Sequence, residues 1–186
     1  MSELRLPVPP LADETVLLRP WREADVSAGL MAFSDPVIQR FSWPQASPFT
    51  EHDARCYFAG QEAARMRGEE VQFALVEPEN DDEVLGGASL YALDRERGTA
   101  ALGYWLAPAA RGRGVASTAV RMLARWGFAT LGLGRIELTC GPDNEASQRV
   151  ATRCGFVLEG VMRSHLVFKG GRRDTVLFSL LPGELR

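Results

Sequence analysis

The residues best suited to chemistry lie in one run, Tyr104 to Ala119, which reads YWLAPAARGRGVASTA. A strand-like apolar stretch enters a loop holding Arg111, Gly112, Arg113 and Gly114, and a helix-like pattern follows from Val115. Glycines let backbone N–H groups approach a ligand closely, and a helix start offers unpaired N–H groups at the positive end of a dipole. Together they form an anion cradle suited to a pyrophosphate, with Arg111 and Arg113 adding charge. A dinucleotide fingerprint of the form GxGxxG does not fit, because Ser117 stands at its third glycine and the stretch from Leu106 to Gly112 exceeds the tight turn that motif serves. Read from these residues alone, a glycine-softened arginine loop without a ligand competes with the cradle. A P-loop is excluded: the single lysine is Lys169, and Ser164 to Phe168 before it contains no glycine. Downstream, PDNEAS places Asn144 and Ser147 at a strand-to-helix junction, where residues of these types cap helices.

The elements that must carry this loop are legible from periodicity. Leu11 to Pro20 reads as a first strand, and Trp21 to Ser34 spaces its apolar residues as a helix does. Phe41 to Thr50, with two prolines, is loop, and Thr50 caps a helix from Glu51 to Arg67. Val71–Glu77, Val84–Leu93 and Thr99–Leu106 form an antiparallel meander, with Gly86 and Gly87 marking a bulge. A helix over Val115–Leu131, a strand over Arg135–Cys140 and a helix over Asn144–Cys154 follow, the last closed by Gly155. Two strands, Phe156–Phe168 and Thr175–Leu181, are joined by the turn KGGRRD. The order predicts one mixed α/β domain over 1–186 with helices on both faces of its sheet.

Length and composition agree. The chain has 186 residues, 46% hydrophobic and 24% charged, with a net charge of −3, which suits one folded domain and rules out disorder as the dominant state. No stretch approaches the roughly 20 apolar residues of a membrane helix. The start, MSELRLPVPPL, lacks the basic-then-apolar run of a signal peptide, and three scattered cysteines (Cys56, Cys140, Cys154) form no CxxC pair; the expectation is a cytoplasmic protein without disulfides. With only His52 and His165 present, no metal site is expected. Charge is asymmetric: residues 1–93 hold seven arginines and sixteen acids, residues 94–186 fourteen bases and eight acids. An acidic half beside a basic half points to an anionic ligand at one end and a cationic one at the other.

The segments ARGRGVA, the preceding GYWLAP, the later PDNEAS…CGF and the opening LRPWREAD together resemble the GNAT superfamily of N-acetyltransferases, nearest to its ribosomal-protein-alanine type. Arg111 to Ala116 match the (Q/R)xxGx(G/A) acetyl-CoA signature, and the resemblance covers nearly the whole chain. It implies a single GNAT-like domain whose twisted, mostly antiparallel sheet splays at the acetyl-CoA site, with 99–155 as the coenzyme core and the N-terminal half on the acceptor side. It further implies that Leu106 and Ala107 offer backbone groups to the pantetheine and the thioester carbonyl. Arg111, Gly112, Arg113, Gly114, Val115 and Ala116 would wrap the pyrophosphate, and Ser117 would add a hydroxyl. Asn144 would bond the pantetheine and Ser147 would lie near the sulfur. The implied partners are acetyl-CoA and an amine acceptor, a protein N-terminus or a small amine, for a monomer or homodimer without membrane or nucleic-acid partners.

The sequence departs from the pattern where the proton chemistry belongs. Similar enzymes carry a glutamate late in the strand equivalent to Thr99–Leu106, but AALGYWL holds no acid. The place of the usual tyrosine acid is Ala151, and the position near which a ribosomal-protein acetyltransferase carries its glutamate is Leu166. The candidates left for a base are Glu137, His165 and a water chain, with Ser147 as the thiolate's partner. Trp43 and Tyr91 are the candidates for acceptor contact among aromatics that otherwise serve a core. A coenzyme-binding module without catalysis is the rival from another class. Nucleic-acid binding ranks last, because the pI is about 5.5 and the arginines gather at one loop.

Overall fold

The computed structural model describes residues 3–42, 45 and 48–186. Two short strands, β1 (Leu11–Ala12) and β2 (Leu17–Arg19), precede three helices, α1 (Val26–Phe33), α2 (Pro36–Phe41) and α3 (Glu51–Arg67). The meander β3 (Val71–Val76), β4 (Val84–Asp94) and β5 (Thr99–Leu106) leads to α4 (Val115–Leu131), β6 (Arg135–Cys140), α5 (Glu145–Arg153) and the hairpin β7 (Val157–Phe168) and β8 (Gly171–Leu180). The strands form one sheet in the order β1-β2-β3-β4-β5-β6-β8-β7. Every neighbouring pair is antiparallel except β5 and β6.

Alternation along the strands divides the core into two. Leu102 of β5, with Leu90 and Ile136 of its neighbours and Phe73 of β3, packs under α4, which contributes Val115, Val120 and Leu123. Trp105 of β5 turns to the other face and packs with Phe33, Ile38, Phe49 and Ala54 from the α1–α3 side. Helices therefore cover both faces. A buried bidentate pair anchors the first helix to the sheet edge: Arg19 donates to both Asp25 carboxylate oxygens, at 2.8 and 2.9 Å. Burial alone lifts the Asp25 carboxyl, but hydrogen bonds from the Arg19 guanidinium and the Arg22 N–H outweigh it and hold the group below its usual range. The pair's stabilisation is thus present above the ordinary carboxylate range and lost as pH falls through the depressed value.

Four expectations change. The run Leu11–Pro20 is not one strand: Asp13 accepts from the N–H groups of Thr15 and Val16, turning the chain so that β1 folds onto β2. A short helix, α2, lies where none was expected, capped by Asp35, whose carboxylate accepts from Val37 and Ile38 N–H, with Pro36 in its first turn. The β4 bulge falls at Leu85, one residue before the glycines. Gly86 instead permits close packing, since a Cβ there would clash with the Trp105 carbonyl oxygen. Finally, β8 begins at Gly171, so that part of KGGRRD belongs to the strand and the turn itself is short. Among the described residues no helix is long and apolar enough to cross a membrane.

Candidate functional site

The site begins with a failure of pairing. β5 and β6 are bonded only where Thr99–Ala101 meet Arg135–Glu137. Beyond that point β6 stays with β8 through Cys140, and β5 runs on with β4 through Leu106, so a gap opens between them. Ala107 N–H donates to Leu85 O at 2.9 Å. That N–H is committed to the sheet, so of the two residues expected to offer backbone groups Ala107 has no free donor. Hydrogen-bonded and non-bonded pairs alternate along an antiparallel ladder, so the neighbouring Leu106–Gly86 pair is non-bonded. The Leu106 N–H is left facing the gap.

At the mouth of the gap, Gly112 and Gly114 hold φ values of +77° and +85°, and a Cβ at either would meet nothing within 4 Å. That open, left-handed backbone is what a ligand approaching the main chain requires. Gly114 caps α4 without any side-chain cap, leaving the first N–H groups of a 17-residue helix directed at the loop. Val115 is fully buried, so only its backbone can contribute. A cleft of about 270 Å³ runs from this loop along β5, lined by Leu106, Arg111, Gly112, Gly114, Ala116 and Ser117 and, across the gap, Asn144 and Ser147. The glycine loop and helix start fit a pyrophosphate, and the gap beyond fits an extended chain.

The two loop arginines part company. Arg111 lines the cleft and pairs with Asp35 at 2.5 Å while also donating to Leu106 O at 3.2 Å. The Arg111 guanidinium, helped by the α2 N–H groups, holds the Asp35 carboxyl below its usual range against the opposing effect of burial. Arg113 turns away to Glu77, at 2.5 Å, and does not line the cleft. An exposed pair of this kind contributes little. Arg113→Ala is expected to change acetyl-CoA affinity less than about threefold by calorimetry, the size of a rim-charge effect.

Across the gap, Asn144 accepts from Ser147 N–H at 3.1 Å and so caps α5. Tyr104, on β5, donates its hydroxyl to Ser147 Oγ at 3.1 Å. Burial pushes the Tyr104 hydroxyl up to about 12, with the Ser147 contact opposing, so it stays protonated and a donor at neutral pH. Tyr104 lines the cleft, although the sequence reading left it among aromatics that serve either a cleft or a core. Its phenol reaches the turn of α5 that precedes Ala151, from a strand position 43 residues before Ser147. Cys140 lies beside Ser147, its thiol pushed up by burial.

The other candidates stand apart from this cleft. Glu137 pairs with Arg135 at 2.8 Å, at the closed end of the gap. Arg135 also holds Glu159 at 2.6 Å and, with Ser179, lowers that carboxyl to about 2. His165 Nδ1 lies 2.8 Å from Thr175 Oγ1 across the hairpin, and neither His165 nor Glu137 lines the cleft. Tyr91 packs over Gly103 and reaches Thr139. Trp43 falls outside the described residues. α3 does bring His52 and Cys56 together, at 3.5 Å, on its exposed face and away from the cleft. No cluster able to hold a metal ion occurs among the described residues. On the opposite face of β5, a second cavity of about 320 Å³ shares Ser42, Tyr104 and Trp105 with the cleft and is walled by Phe33, Tyr57 and Ser89.

A cleft between splayed strands that fits a long anionic ligand, its end beside a hydroxyl pair and a second cavity, suits an acyl-group transferase. An acetyltransferase (GNAT) domain model matches residues 15–157. The chain belongs to that family, and it is an N-acetyltransferase. It is 32% identical over 175 residues to the uncharacterized N-acetyltransferase p20 of Bacillus licheniformis, covering 94% of this chain and 97% of that one. It is also 32% identical over 141 residues to the ribosomal-protein-serine acetyltransferase of Escherichia coli K12, covering 76% of each. Mycobacterium smegmatis RimJ, solved with a CoA-disulfide, superposes with a TM-score of 0.82 at 26% identity, covering 91% of this chain and 83% of that one.

Proposed function

We propose that this protein is a cytoplasmic enzyme that moves an acetyl group from acetyl-CoA directly to the α-amino group of a protein N-terminus. Residues 99–155 form its coenzyme side and the N-terminal half its acceptor side. The observation that carries the reading is the meeting of the β5–β6 cleft with the second cavity at Tyr104 and Trp105. A relative named for a ribosomal-protein acceptor supports the choice of acceptor.

Acetyl-CoA supplies an activated acetyl carbonyl with a thiolate as its leaving group. Gly112, Gly114 and the α4 N–H groups of Val115, Ala116 and Ser117 bind the pyrophosphate, with Arg111 as the neighbouring cation. Leu106 N–H, facing the gap, donates to the thioester oxygen as charge develops there; one such donor is worth about 10²–10³ in rate. Asn144 fixes the first turn of α5 and thereby Ser147, whose hydroxyl relays to the departing sulfur the proton that the attacking nitrogen releases, returned to the serine by way of Tyr104 or a water. Direct transfer is supported by the chemistry of the described residues: Cys140 is held in its neutral form by burial, the His52–Cys56 pair lies elsewhere, and no described base activates the Ser147 hydroxyl, which accepts from Tyr104.

The test is acetylation of a peptide that carries both an N-terminal α-amino group and an internal lysine, with products located by mass spectrometry. A free α-amino group has a pKa of about 7.7–8.0 and a lysine about 10.4, so far more of the former is neutral at pH 7.5. We expect α-acetylation to exceed lysine acetylation at least tenfold (about 1.4 kcal/mol). A screen over polyamines and aminoglycosides in which only these turn over would make the acceptor a small molecule instead.

A further inference from the structure

A carboxylate that nothing described so far uses lies on the sheet face that floors the second cavity, near enough for its charge to act on the wall residue Tyr57. β3 and β4 pair Val71 with Leu90 and Gln72 with Ser89, which sets Glu70, one residue earlier, beside Tyr91. Ser89 in turn pairs with Gly103, and Tyr91 with Ala101, on β5. Glu70, Gln72, Ser89, Tyr91 and Gly103 therefore share one sheet face, the face on which the cavity opens. Ser89 and Gly103 floor the cavity, and Tyr57 from α3 walls it. Glu70 accepts a hydrogen bond from the Gln72 side-chain amide.

Its surroundings are acidic and phenolic. Tyr57 and Tyr91 both feel the Glu70 charge, Glu69 adds a like charge from the adjoining position, and Glu137 acts on Tyr91 from the far side. Glu70 forms no ion pair among the described residues, whereas Glu69 is held by Arg67 at 2.8 Å. One polar atom of the cavity wall also awaits a partner. The Trp105 indole N–H, in a residue 7% exposed, approaches the Tyr57 hydroxyl but makes no hydrogen bond of acceptable geometry. A half-buried carboxylate without a cation, beside aromatic faces and a spare donor, fits a ligand that brings its own positive charge.

We propose that this cavity binds the acceptor as an ammonium ion and that Glu70 is the proton acceptor that neutralises it. The inference deepens the acetyl-transfer reading and rests on it. An ammonium N–H bond breaks and its proton passes by way of the Ser89 hydroxyl or a water to the Glu70 carboxylate. The nitrogen keeps the electron pair with which it attacks the thioester. Burial lifts the Glu70 carboxyl above its ordinary range, which moves it toward the amine's own pKa and makes it a better proton acceptor. It also explains why β5 carries no acid: the charge enters from the residue just before β3, on the acceptor side of the sheet.

Two measurements on the full chain decide it. In the first, kcat/KM is followed against pH for two peptides whose α-amino groups differ in pKa. The wild type is expected to show one shared inflection below both amine values, because Glu70 must be ionised. In Glu70→Gln the rate at pH 7 is expected to fall at least tenfold, and each profile is expected to shift to its own amine's pKa. Wild-type profiles that already follow each amine, or a Gln variant with the wild-type profile, overturn the proposal. In the second, phenylethylammonium is titrated against its neutral alcohol analogue with tryptophan fluorescence as the signal, which needs no turnover. Glu70→Gln is expected to lose at least tenfold in affinity for the cation alone; an equal effect on both ligands, or none, overturns the proposal. Acetyl-CoA affinity, measured in parallel, is expected to be the same in both proteins. A wild type that does not bind acetyl-CoA sinks the acetyl-transfer reading itself and leaves the cation titration to be judged separately. The substitution is isosteric and removes a carboxylate that burial disfavours, so the variant is expected to fold and to be at least as stable at pH 7.

Discussion

Gly114→Glu is expected to lower acetyl-CoA affinity about a thousandfold while leaving the protein folded. The position has φ of +85°, which costs a non-glycine residue about 1–2 kcal/mol, yet a Cβ there meets nothing within 4 Å, so no core contact is lost. The new carboxylate would sit at the positive end of α4, where a negative charge is favoured, and would occupy the place of the phosphate. With a pyrophosphate present, two like charges about 4 Å apart at an effective dielectric of 20 repel by about 4 kcal/mol. Calorimetric titration with acetyl-CoA, beside a melting curve, reads both effects. Gly114→Ala separates them: it carries the backbone strain without the charge and is expected to weaken binding far less. A folded Glu variant with wild-type affinity would show that the loop does not hold the pyrophosphate.

The residues that made this loop legible in sequence act locally. Glycines at 112 and 114, a helix beginning at Val115 and the apolar spacing of its buried face can all be read within a window of twenty residues, and the boundaries of α4 and β6 came out as expected. The same holds for α3, whose Thr50 and Asp53 form a reciprocal cap. α2 was missed although its signals were local, Asp35 as cap and Pro36 behind it, because six residues show too little periodicity to register. The gap itself could not be read from periodicity or spacing; only the family resemblance implied it. It exists because β6 keeps its hydrogen bonds with β8 while β5 keeps its own with β4, and pairing choices between distant strands leave no mark on either strand's sequence. Arg113 shows the same limit: its neighbours placed it at the phosphate, and Glu77, 36 residues upstream, draws it elsewhere. The acid missing from β5 was a true absence, and Glu70, just before β3, sits in no recognisable motif.

Ser147→Ala is expected to lower kcat about a hundredfold at pH 6.5, with KM for acetyl-CoA changed only a few-fold, since a positioned proton donor is worth about 10²–10⁴ in rate. Tyr104→Phe removes the donor that occupies the Ser147 oxygen at 3.1 Å and leaves the serine itself in place, so a loss of about tenfold is expected. The double variant is expected to match Ser147→Ala, because two groups that act as one unit do not add. The sign of the pH dependence distinguishes proton donation from mere packing. A thiol has a pKa of about 8.5, so a departing thiolate needs a proton below that value and not above it. The defect of Ser147→Ala should therefore shrink as pH rises through about 8.5, whereas a packing defect would persist at every pH. Steady-state release of free thiol from pH 6.5 to 9.5, for wild type and the three variants, makes the comparison. A defect that is constant across the range would leave Ser147 as a helix residue held by the Asn144 cap, and the sulfur would then depart without a proton from this chain.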